Sequence, residues 1–96
     1  MITRSAPVST GTGIVPGWLV WCPGCDEPHA LSPLWSFDGN LDTPTFEPSI
    51  LQLHGDKRCH SFLRGGVWEF LSDSTHALAG LCTPVVQWPD LAGDDL

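Results

Sequence analysis

Glycine and proline recur so often along this chain that most of the intervals between them are strand-sized. Ten glycines and nine prolines fall among 96 residues, roughly double the ~12% of average usage. No long run of 3.6-residue period survives between them, so the reading is mainly β. Hydrophobic residues still make up 42% of the chain, with five Trp and four Phe, and a disordered segment would be poor in such groups. A domain of this size buries only about 60–65% of its unfolded surface. A staple is therefore expected, and four cysteines are present to provide it.

Trp18-Leu19-Val20-Trp21 reads as a strand closed by Pro23-Gly24, and Trp35-Ser36-Phe37 as another that turns at Asp38-Gly39-Asn40. Pro44 and Pro48 forbid helix over Thr43–Ser49 and confine it to a sheet edge, with a strand continuing through Leu53. Cys59–Leu63 and Val67–Leu71 flank Gly65-Gly66 and predict a β-hairpin. On its first strand His60 and Phe62 share one face, and Cys59, Ser61 and Leu63 the other. Ser72–Thr75 offers caps for a single helical turn over His76–Gly80, and Pro84–Pro89 reads as a last strand. The fold class is a small, single-domain antiparallel β fold with at most one short helix. Residues 1–13 read as a flexible lead-in, 14–90 as the domain and 91–96 as an acidic tail.

Cys22-Pro23-Gly24-Cys25 is a knuckle whose two sulfurs can face one centre, half of a tetrahedral zinc site of the zinc-ribbon kind. Asp26, Glu27 and Pro28 follow where a redox CxxC would begin a long helix, which disfavours that use. Cys59 and His76 are the leading candidates for the remaining ligands, with His60 close behind. Neighbours on a regular strand point to opposite faces, so Cys59 and His60 can both bind only if Cys59 sits in a turn. His29 is near enough in sequence to swing in, although a ribbon ordinarily recruits its second pair from a distant hairpin. Cys82 reads as a buried small hydrophobe. Asp73, three residues before His76, is placed to accept a histidine ring N–H and fix its tautomer, or else to cap the turn.

Eleven acidic residues stand against four Lys and Arg, a net charge of −7. That balance disfavours nucleic acid, for which only Lys57, Arg58 and Arg64 offer a patch. No apolar run approaches the ~20 residues of a membrane span. With no apolar segment following Met1–Ser5, a cytoplasmic protein is expected.

Trp21–Cys25 with His29, Trp35-Ser-Phe with Asn40, Pro44-Thr-Phe-Glu-Pro-Ser49, Cys59-His-Ser-Phe62, Gly66 and Asp73–Gly80 together resemble a family of small proteins of tailed-phage and prophage genomes. Many of its members carry the label "ammonia monooxygenase". That label implies a copper membrane enzyme, which the knuckle and the missing span do not fit. A more distant type, from bacterial operons beside ubiquitin-like and E1-like proteins, has a similar knuckle followed by a Cys-x-x-His hairpin, contracted here to Cys59-His60. The functional expectation is a zinc-stabilised phage-type accessory protein that binds a host or phage protein, with no catalytic residue assigned. A small zinc hydrolase with an open metal position, using Asp73 or a spare histidine to carry protons, is the alternative. Nucleic-acid binding through Trp stacking is weaker still.

Overall fold

The structure, a computed structural model, describes residues 2–89, and the expected acidic tail at 91–96 lies outside them. Eight strands follow in order: β1 Thr3–Thr10, β2 Gly13–Cys22, β3 Glu27–Leu31, β4 Ser36–Phe37, β5 Phe46–His54, β6 Lys57–Arg64, β7 Val67–Phe70 and β8 Cys82–Pro84. They form two antiparallel sheets, β1-β2-β3 and β4-β5-β6-β7-β8. Among the described residues there is no helix, and so none long and apolar enough to cross a membrane.

In the first sheet β1 pairs with β2 in continuous register from Thr3↔Val20 to Thr10↔Gly13. The stretch expected to be a flexible lead-in therefore carries an edge strand. Its Thr, Ser and Val residues suit a pleated surface, and its partner strand supplies the hydrogen bonds that a short polar segment cannot supply for itself. β2 turns into β3 with Cys22 opposite Glu27, so the knuckle is the turn of a hairpin. Asp26 takes a left-handed φ of 56°, and its N–H donates to the Cys22 carbonyl at 2.9 Å. An aspartate tolerates that conformation better than most side chains.

In the second sheet the hairpin expected at Gly65-Gly66 forms between β6 and β7, with Arg64 opposite Val67. Its two glycines sit at φ 55° and 76°, the pair of positive angles that a two-residue turn demands. β6 alternates as the period of two requires: Cys59, Ser61 and Leu63 are buried while His60 and Phe62 are half-exposed. The β5–β6 register shifts between Phe46 and Ile50, which leaves Glu47–Ser49 without counterparts on β6.

Three expectations fail locally. His76–Gly80 is a run of turns, because Leu71–Thr75 is tied to β6: Leu71 N–H donates to the His60 carbonyl and Thr75 N–H to the Arg58 carbonyl, both at 2.8 Å. The last strand ends at Pro84, where Pro84–Pro89 was expected to begin one, and Cys82 within it is exposed. Beyond it, Trp88 reaches back to donate its indole N–H to the Ile2 carbonyl at 2.7 Å.

Both sheets contribute to one core, with Val20, Cys22 and Leu31 from the first and Phe46, Ile50, Cys59, Leu63, Trp68 and Phe70 from the second. Two of these core residues are knuckle and hairpin cysteines. The place where the sheets meet is therefore also where their sulfurs meet.

Candidate metal centre and Ser-His-Asp relay

Cys22 and Cys25 come from the β2–β3 turn, His29 from β3 and Cys59 from β6. One ligand atom of each lies within 4.8 Å of all the others. Cys22 Sγ is 3.9 Å from Cys59 Sγ and Cys25 Sγ is 3.7 Å from His29 Nε2, spacings that suit donors around one central ion. Cys22, Cys59 and His29 are buried and Cys25 is half-buried. A cavity of about 380 Å³ with Cys25, Cys59 and His76 in its wall gives an ion a way in.

The electrostatics of the sulfurs are those of a site short of positive charge. The Cys22 thiol is drawn down to about 4, first because it accepts the Cys59 S–H and against the opposing effect of burial. Burial pushes Cys25 up to about 12, with the Cys22 charge beside it adding to the shift. Cys59 is pushed up as well, first by the proton it shares with Cys22 and then by burial. One thiolate excludes the others until a cation joins them, since like charges in a small buried space disfavour each other's ionisation. His29 is fully buried, its Nδ1 has no partner, and its Nε2 faces the sulfurs. Three cysteines and this imidazole can hold a metal ion.

His76 lies beside the cluster with Nε2 3.3 Å from Cys59 Sγ. Its ring fills the space over Gly24, where any Cβ would collide with it. His60 is turned away. Cys59 sits inside β6 rather than in a turn, so strand alternation sends the two neighbouring side chains to opposite faces, one to the sulfurs and one outward.

On that outer face His60 meets partners of another kind. Its Nδ1 is 3.1 Å from Asp73 Oδ2, and a carboxylate can only accept, so Nδ1 carries the proton. Nε2 then points its lone pair at the Ser49 hydroxyl, 3.3 Å away. Asp73 thus orients His60, where the sequence placed it before His76. Its carboxylate is also approached by Arg58 at 3.8 Å. The loop that brings Asp73 is fastened to β6: His60 N–H donates to Ser74 Oγ, and Ser74 Oγ–H returns to the His60 carbonyl, both at 3.0 Å. Ser49 is held from behind by the Trp35 indole N–H, which donates to its carbonyl at 3.3 Å.

A hydroxyl, an imidazole with a free lone pair and a carboxylate in line are the parts of a nucleophile activated by a general base. The sequence marks His60 and Asp73 for other roles, and Ser49 only as the end of the Pro44–Ser49 segment, with no nucleophilic role. The available signal was its position directly after Pro48, in a double-proline segment at the start of β5. No curated protein and no solved structure matches this chain. A family model described as "Bacterial ubiquitination-like system serine protease (BubE)" matches residues 8–71. The description is of a bacterial ubiquitination-like system, and it does not name the phage and prophage family that the sequence resembles. The match takes in the knuckle, His29, Ser49, Cys59 and His60 and covers most of the chain, which belongs to this family.

Proposed function

We propose that this protein is a serine protease of a ubiquitination-like system, with Ser49 as nucleophile, His60 as general base and Asp73 as the group that orients it. The line Ser49–His60–Asp73, with contacts of 3.3 and 3.1 Å, is the observation that carries the reading. His60 Nε2 takes the Ser49 proton as Oγ attacks the carbonyl carbon of the substrate. When the bond to the leaving nitrogen or oxygen breaks, His60 returns that proton to the departing group. A water molecule activated by the same imidazole then releases the acyl group and restores Ser49. The family name points to a polypeptide substrate: a ubiquitin-like modifier or a conjugate of one.

The metal in this reading is zinc, since three thiolates and an imidazole form a soft tetrahedral set that suits it. With four protein ligands it leaves no position for water, so its part is to hold the fold together. The chemistry lies across β6 from it. The protein partner expected from the sequence becomes the substrate.

A fluorophosphonate probe tests the assignment. The zinc-loaded protein is expected to take up one label, located on Ser49 by peptide mass, and Ser49→Ala and His60→Gln are expected to lose labelling by at least about 10³-fold. Labelling that ignores Ser49 would return the protein to the other reading of its sequence, a zinc-stabilised interaction module without chemistry of its own.

A further inference from the structure

His76 touches the cluster, yet its hydrogen bonds assign it a role other than ligand. Leu78 N–H donates to His76 Nδ1 at 3.2 Å. A backbone N–H can only donate, so Nδ1 must offer a lone pair, and the ring proton of the neutral imidazole then sits on Nε2. Nε2 is the nitrogen 3.3 Å from Cys59 Sγ. Ligation through Nε2 would move the proton to Nδ1 and leave two donors facing each other at the Leu78 contact. The arrangement fits an N–H donated to the Cys59 sulfur, an interaction that strengthens once that sulfur is a thiolate.

The consequence reaches the other face of β6. Residues 71–76 form a strap along this strand, with Leu71 and Ser74 bonded to His60 and Thr75 to Arg58 by both its N–H and its hydroxyl. Asp73 projects from the middle of that strap, and His76 is the point at which the strap meets the sulfurs. The space over Gly24 admits this ring and no Cβ, so the anchor is shaped on its second side by the knuckle.

We propose that His76 is a positioning residue: its Nε2–H donates to Cys59 Sγ, fastens the strap to the cysteine cluster, and so holds Asp73 against His60. The proposal rests on the protease reading above. It adds that the cluster sets the geometry of the relay as well as the stability of the fold.

The experiment uses the full chain loaded with zinc and compares wild type, His76→Ala and His76→Gln. Both variants are expected to retain one zinc per chain. His76→Ala should slow fluorophosphonate labelling of Ser49 by at least about tenfold and weaken the low-field proton resonance of His60 Nδ1–H, which reports the bond to Asp73. The glutamine, which can still donate to sulfur and accept from Leu78, should recover most of both. On a small ester the loss should fall on kcat, with KM unchanged. Loss of zinc from both variants would make His76 a ligand and overturn the proposal, and so would retained zinc with an unaltered His60 resonance. If wild type takes no label, the protease reading fails by itself, and the His60 resonance with the zinc content still decides the role of His76.

Discussion

At the scale of single residues, Asp73 gives the sharpest expectation. It is exposed and shared between His60 at 3.1 Å and Arg58 at 3.8 Å. Asp73→Asn would keep the shape of the contact but offer an amide whose donor end faces the ring N–H or forces the other tautomer, spoiling the lone pair aimed at Ser49. We expect kcat on a small ester to drop by about 10³–10⁴-fold, with melting temperature and zinc content unchanged. An unaltered kcat would detach Asp73 from the chemistry. The acidic residue was visible in the sequence as an orienting group, and its partner was not. Nothing in Asp73-Ser-Thr-His shows that the strap lies alongside β6, which puts the carboxylate opposite the histidine thirteen positions earlier and out of reach of the one three positions later.

Among elements, the hairpins explain which parts of the site could be read in advance. The Gly65-Gly66 turn and the alternation along β6 follow from local rules of backbone angle and strand period, so the opposite facing of Cys59 and His60 was already an expectation. Cys22 and Cys25 share one tight turn, and their closeness is local too. His29 joins them because β3 pairs directly back on β2, with Val20 opposite His29; the antiparallel return brings the ring to the knuckle that a count along the chain leaves open. Ser49 depends on the least local feature of all, the shifted register of β5 against β6. A matching test falls on the β2–β3 turn. Gly24→Ala adds a methyl group where the His76 ring sits, so the strap must move. Zinc should stay bound while labelling of Ser49 slows, in the same direction as in His76→Ala. An unchanged labelling rate would show that the knuckle can yield without disturbing the strap.

For the whole molecule, the core and the cluster share Cys22 and Cys59, so stability and metal content should move together. Structural zinc in small domains carries folding free energy on the order of 10 kcal/mol, and chelation is expected to lower the melting temperature sharply, with a single transition seen by tryptophan fluorescence. The pH dependence has a definite sign. Folded Cys25 is held up to about 12 against an ordinary 9.0, so the metal-free chain keeps the benefit of a neutral Cys25 below pH 9 and loses it as the pH climbs towards 12. Cys59, shifted the same way, adds to that loss. A bound dication makes the thiolates the favoured forms and removes the alkaline weakness. Melting curves on either side of pH 9, with and without zinc, check this; equal alkaline losses in both would place the thiols outside the ion's influence.

Cys59 and His60 stand side by side on one strand, and because side chains alternate, both are displaced from their places by the smallest error that a sheet can make. A slip of β6 by a single residue against its neighbours would bring His60 to the sulfurs and Ser61 to the relay in one direction, or Arg58 to the sulfurs and Cys59 to Ser49 and Asp73 in the other. Such a chain would keep nearly all of its strand pairing while losing both its staple and its base. Register is thus the quantity under tightest constraint here. An insertion or deletion of one residue between Gly55 and Gly65 should be tolerated far less than most substitutions of the exposed residues in the same interval.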